Sequence, residues 1–146
     1  MMPIGEPAVG RFCWLDLAAS DAAAAKAFYH RLFGWTAVEQ HANGGIFTRL
    51  CSLDRDVGSL YQMEARLARK LPSHWTPYVR VADVGLAARR ASELGGQVLV
   101  RPFVVSGVAR IALIMDSVGA QVGLWEPIDT MESERHGQDR CCDKRL

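Results

Sequence analysis

The sequence predicts an α+β fold: two βαβββ modules forming an open, cup-shaped eight-stranded sheet with helices outside. Three observations lead there. The chain repeats itself at a spacing of roughly 62 to 65 residues. Each copy runs from a short alternating strand through an Asp to an Ala-rich helix that ends at Gly. Each helix is followed by three apolar segments separated by turn residues. One βαβββ unit leaves a sheet face bare, whereas two laid edge to edge can curl so that the concave face forms a pocket for a small ligand.

The first copy reads WLDLAASDAAAAKAFYHRLFGWTAV, residues 14 to 38. Asp21 is a good N-cap, because its side-chain oxygen can accept from a free N–H of the first turn. AAAAKAFYHRLF is rich in helix formers, with Ala25, Phe28, Leu32 and Phe33 as the predicted apolar stripe and Gly34 as the stop. Three strands follow: WTAVEQH, then IFTRLCSL after a turn at Ala42-Asn43-Gly44-Gly45, then VGSLYQM. Asn-Gly is a strong hairpin signal. EARLARKLPS, 64 to 73, reads as a connector whose Pro72 ends any helical turn.

The second copy reads YVRVADVGLAARRASELGGQVLV, residues 78 to 100. Val84, Ala87, Ala91 and Leu94 form its predicted stripe, and Gly95 and Gly96 stop it. Its strands are QVLVRPFVV, VARIALIMD after Ser106-Gly107, and AQVGLWEP after Asp116-Ser117-Val118-Gly119. Asp21 and Asp83 stand 13 residues before Gly34 and Gly96. VGSLYQ matches VGLWEP, with Val57 on Val122, Gly58 on Gly123 and, after one inserted residue, Tyr61 on Trp125. The expected organisation is one domain over 1–128, with modules at about 11–63 and 75–127, a connector at 64–74 and a polar tail at 129–146.

Composition narrows the function classes. Net charge is +1, from 17 basic and 16 acidic residues without a long basic run, which disfavours nucleic acid as a partner. No segment approaches the length of a membrane span, and MMPIGEPAVGRF lacks a secretion signal's basic flank and apolar stretch. The expected location is the cytoplasm, with reduced cysteines. Cys13 and Cys51 sit in apolar strand-like runs, where a thiol behaves as a small hydrophobe. Cys141-Cys142 with His136 reads as incidental to a tail rather than as a soft-metal site.

Three motifs, D-x6-FYHRLFGW (21 to 35), HWTPYVRVADV (74 to 84) and DSVGAQVGLWEP (116 to 127), resemble the vicinal oxygen chelate superfamily, which includes glyoxalase I, extradiol dioxygenases and bleomycin-resistance proteins. The similarity is to its large glyoxalase-like subgroup. In metal-dependent members, the resemblance implies, His, Glu or Gln project from the first and last strand of each module. Those four slots fall here at Trp14, at Thr76 or Pro77, at Gly58 and at Gly123. Trp, Gly and Pro offer no side-chain donor and Thr is a poor one, so neither a metal nor another cofactor is expected. Glu126 lies an odd offset from Gly123, which directs it to the opposite face, and Asp16, two beyond Trp14, shares the inward face.

The leading expectation is a metal-independent protein that binds a small apolar or aromatic molecule. The candidate ligand-binding residues are Trp14, Asp16, Gly58, Tyr61, His74, Pro77, Tyr78, Gly123 and Trp125. Trp75 belongs to the same aromatic group, Trp35 and Tyr29 read as core, and His30 reads as solvent-facing. His74 is either a ligand contact at the pocket mouth or a structural cap. Arg80 and Arg110 reach either the pocket or a dimer surface. The resemblance also implies a homodimer. The alternative is a metal-dependent lyase or dioxygenase with a rearranged site of His74, Asp16 and Glu126, and a further one is a non-catalytic interaction module.

Overall fold

A computed structural model describes residues 8–42, 45–105 and 107–128. Among the described residues, eight strands and three helices follow one another as β1 (Phe12–Ala19), α1 (Ala22–Phe33), β2 (Thr36–Ala42), β3 (Gly45–Ser52), β4 (Arg55–Gln62), α2 (Ala65–Ala68), β5 (His74–Arg80), α3 (Val84–Glu93), β6 (Gln97–Val105), β7 (Ala109–Met115) and β8 (Gln121–Pro127). This is the predicted βαβββ order, written twice. The strands hydrogen-bond in the order β2-β3-β4-β1-β5-β8-β7-β6. The expected Asn43-Gly44 hairpin tip, Ser106 and the tail 129–146 lie outside the described residues.

The chain forms two compact units, one of residues Leu15–Thr76 and one of residues 8–14 with 77–128. In the first, α1 begins where Asp21 accepts a 3.0 Å hydrogen bond from Ala24 N. It ends at Gly34, whose φ of 75° is a left-handed value that Gly adopts without a Cβ clash. β1 runs parallel to β4, pairing Asp16 with Ser59 and Ala18 with Tyr61. Leu17, Ala19, Leu50 and Leu60 form the core, with Ala25, Tyr29, Trp35 and Trp75 packed on it. Trp75 donates a 3.1 Å hydrogen bond from its indole N–H to the Tyr29 hydroxyl, so this polar tip is satisfied inside the cluster.

The helix stripe differs from the prediction. Ala25 and Tyr29 face the core, whereas Phe28, Leu32 and Phe33 are more than half exposed. Ala25 and Tyr29, four apart, define the inward line, and Phe28 lies about 100° around the helix from Tyr29. Trp75 is likewise corrected from a pocket residue to a core one.

In the second unit, Asp83 caps α3 by accepting from Leu86 N at 2.9 Å. Val84 and Ala88 of α3 pack on Ala112 and Leu124, with Ala87 partly buried beside them. Leu94, placed in the stripe, is instead the exposed C-cap residue. β5 runs parallel to β8 and pairs Tyr78 with Gly123 and Arg80 with Trp125. The Asp116 turn is built by its carboxylate, which accepts from Val118 N and Ala120 N, both at 2.9 Å. These bonds hold its pKa below the ordinary value. A second cluster, Tyr78, Ala109 and Ile111, gathers Cys13, Trp14, Leu113 and Trp125.

Of the two cysteines among the described residues, one departs from expectation. Cys13 is a free thiol whose pKa is pushed up by burial, against the lowering field of Arg80. Cys51, expected as a reduced thiol, is disulfide-bonded.

Candidate ligand-binding site

The matched strand pairs give the equivalence between the modules. Asp16 stands five residues before the cap Asp21, and Tyr78 stands five before the cap Asp83. Asp16 pairs with Ser59 and Tyr78 pairs with Gly123. The residue equivalent to Gly123 is therefore Ser59, not Gly58. The Val-Gly dipeptide common to β4 and β8 had suggested a register one residue off. An irregularity between Leu50 and Cys51 accommodates the extra residue of β4, as a bulge does.

Gly58 thus leaves the candidate face. It pairs with the core residue Leu50, and a Cβ on it would collide with the Leu15 carbonyl oxygen. Pro77 leaves it too. Alternation along β5 puts Thr76 and Tyr78 on one face and Pro77 on the other, and Thr76 is buried.

In the unit of residues 8–14 and 77–128, four of the expected residues meet: Trp14, Tyr78, Gly123 and Trp125. Trp14 stacks on Trp125 with centroids 5.6 Å apart and an interplanar angle of 29°. Tyr78 meets Trp125 edge-on at 5.8 Å and 78°. Tyr78 is buried, and its ring occupies the space that a Cβ on Gly123 would need. Both Trp rings are only partly buried, so they present aromatic surface. Glu126 shares the strand parity of Leu124, whose side chain packs with α3, and it stands 3.9 Å from Arg110. Its Oε2 is buried without a hydrogen-bond partner among the described residues. Arg110 is thereby placed beside Glu126.

In the unit of residues 15–76, Asp16 is the centre. Ser59 donates a 2.7 Å hydrogen bond to its Oδ1. Burial raises the Asp16 pKa to about 6, outweighing the lowering effects of that hydrogen bond and of the charge on His74. Tyr61, 40% exposed, has its phenol pushed up by burial and then by the Asp16 charge. The His74 Nδ1–H donates to the Pro72 carbonyl at 2.9 Å, a structural contact that fixes the tautomer and leaves Nε2 as the other ring nitrogen. Arg49 pairs with Ser59 across β3 and β4, so it shares the row of Asp16, and its Nε lies 3.3 Å from Asp56. His30, as expected, is exposed, with Nδ1 3.0 Å from the Trp35 carbonyl.

Ser59 and Arg49 were not among the expected residues. Counting back equally from Asp21 and Asp83 matches Asp16 with Tyr78, and Ser59 then follows only from the pairing of β1 with β4. Arg49 follows only from strand register, which the sequence does not print.

The residues at the family's metal slots do not fit a metal. With the corrected register they are Trp14, Thr76, Ser59 and Gly123, and the last is covered by the Tyr78 ring. Among the described residues no group of three or more His, Cys, Asp or Glu could hold an ion.

Residues 11–120 match the family model of the glyoxalase/bleomycin resistance protein/dioxygenase superfamily. A putative glyoxylase, CFP32, of Mycobacterium bovis is 32% identical over 115 residues, covering 77% of this chain and 44% of the relative. The anthracycline biosynthesis protein DnrV of Streptomyces peucetius is 32% identical over 130 residues, covering 81% and 47%. The chain spans less than half the length of these curated relatives. Among solved structures, methylmalonyl-CoA epimerase from Mycobacterium tuberculosis superposes with a TM-score of 0.60 at 20% identity, covering 88% of this chain and 93% of that one. The Streptomyces coelicolor epimerase in complex with 2-nitronate-propionyl-CoA gives 0.61 at 20%, covering 82% and 99%. At that identity the likeness is one of fold.

Proposed function

The chain belongs to the glyoxalase/bleomycin resistance protein/dioxygenase superfamily, and from that premise we propose that it binds a small apolar or aromatic molecule without a metal. One observation carries this reading: the partly buried Trp14–Trp125 stack, backed by Tyr78. Trp14 stands where the resemblance puts a metal ligand, and Gly123, the partner slot, gives its space to a ring. Aromatic surface in place of N and O donors suits stacking on a planar ligand.

The same reading includes a homodimer and a cytoplasmic location. Leu99, Val100, Phe103 and Val104 of β6, at the end of the strand order, are all exposed, an apolar edge of the kind that a second copy covers. The disulfide at Cys51 runs against a reducing compartment. Thiol alkylation in denaturant of acid-quenched cells tests the location, since Cys51 is buried in the folded chain: labelled Cys51 supports the cytoplasm, and protected Cys51 refutes it.

Naphthalene is a suitable neutral probe for the binding reading. Saturable binding, followed by tryptophan fluorescence, is expected to weaken on the order of 10-fold or more in Trp125→Ala. Binding that does not saturate sinks the reading, as does a stoichiometric divalent ion in protein purified without chelators.

A further inference from the structure

We propose that Arg80 is the anion-recognition residue of the aromatic site, and that the ligand is an aromatic carboxylate whose ring lies against Trp125 while its carboxyl group meets the guanidinium. The proposal rests on the ligand-binding reading above and names a chemical class for the ligand. It is argued wholly within the unit of residues 8–14 and 77–128.

Strand register sets the two groups side by side. Arg80 of β5 is the direct partner of Trp125 of β8, Trp125 partners Ile111 of β7, and Ile111 partners Phe103 of β6. One cross-strand row thus reads Phe103, Ile111, Trp125, Arg80, apolar over three strands and cationic at the fourth. A ring seated at Trp125 has the Arg80 position one strand spacing away, about 4.8 Å. Alternation along β5 puts Arg80 on the face of Tyr78, whose ring meets Trp125 edge-on. Arg80 is half-buried, and its charge acts on the Cys13 thiol, which packs on the Tyr78, Ala109 and Ile111 cluster. The guanidinium's field therefore falls on the aromatic cluster.

The surrounding charges select the kind of ligand. Of the described carboxylates in this unit, Asp83 caps α3 and Asp116 builds its own turn. Glu126 has the parity of Leu124, on the α3 side of the sheet, and Glu93 lies on α3 itself. Arg11, whose carbonyl accepts from the Arg80 amide, brings a second cation near. A cationic ligand would be repelled by this field, and a neutral one would leave it unused. The planar fork of a guanidinium matches a carboxylate through two parallel N–H···O bonds. With five N–H donors it can serve a ligand carboxylate alongside an acceptor of the protein.

The matched probes are naphthalene, 2-naphthoate and the methyl ester of 2-naphthoate, which keeps the shape and loses the charge. At pH 8, where the acid is ionised, the wild-type chain is expected to hold 2-naphthoate on the order of 10-fold more tightly than either neutral probe, the size of a hydrogen bond to a charged group. Arg80→Gln, which keeps a donor and removes the charge, is expected to bring 2-naphthoate and naphthalene within about twofold of each other. That ratio is read within one variant, so a general loosening of the aromatic packing does not move it. Wild-type binding of 2-naphthoate no tighter than that of its ester overturns the proposal and leaves the aromatic-ligand reading standing. A preference that survives in Arg80→Gln also overturns it. Failure of all three probes to bind overturns the two readings together. The wild-type comparison of acid and ester stands by itself should the Gln variant not fold.

Discussion

The ring of Tyr78 lies where a side chain on Gly123 would begin. The two residues are direct partners across β5 and β8, and the Trp14–Trp125 stack is built beside them. Gly123 is therefore a steric requirement of the aromatic cluster. Gly123→Ala is expected to destabilise the protein by about 1–3 kcal/mol, because the buried ring must move off its position. Gly123→Glu, which restores a ligand-type residue, is expected to cost more. Urea or thermal unfolding of the two variants measures both, and a neutral Gly123→Ala would show that the ring yields freely.

Asp16 gives a pH dependence of unusual sign. Its folded-state pKa is raised to about 6 from an ordinary value of 3.8, so the folded chain binds the proton more strongly than the unfolded one does. At pH 7 the half-buried carboxylate therefore opposes folding. That opposition is relieved as pH falls through about 6 towards 4. Asp16→Asn is expected to stabilise the protein at pH 7 by on the order of 1–3 kcal/mol, with the gain vanishing near pH 4. Denaturant midpoints across that range are the measurement.

The two helix caps are expected to be equivalent. Asp21 and Asp83 each accept from the N–H three residues on. Asp21→Ala and Asp83→Ala should each cost about 1 kcal/mol, and the double variant about the sum, since each cap serves its own helix. Thermal unfolding of the three variants tests this.

Tyr29→Phe removes the acceptor of the Trp75 indole N–H within the first unit's aromatic core. The loss is expected to be about 1–3 kcal/mol, because a partly buried donor is left without its partner. Trp75→Phe together with Tyr29→Phe should cost less than the two single changes summed, and a double-mutant cycle reads that difference.

Much of the fold was legible because local signals agreed with one another. α1 begins and ends where Asp21 and Gly34 say it should, and QVLVRPFVV is β6 residue for residue. The helix stripes were less legible. Alanine carries no strong hydrophobic mark, so Phe28 and Leu32 looked like core although Ala25 and Tyr29 hold that line. The candidate site was legible in its residue types and not in its register. Trp14, Tyr78 and Trp125 came together as expected, whereas Gly58 and Pro77 fell on the other strand faces. Ser59 stayed hidden because an extra residue within β4 itself shifts the register by one without leaving a mark in composition.

The off-by-one register has a practical side for protein engineering. Asp16 with Ser59 and Tyr78 with Gly123 occupy the same two positions of one repeated blueprint, so each pair can be treated as an exchangeable cassette. Writing Tyr78→Asp and Gly123→Ser together would transplant the polar pair into the second module, and the reverse exchange would carry the aromatic one into the first. A scaffold that already holds two chemistries at matching addresses invites a library confined to four codons.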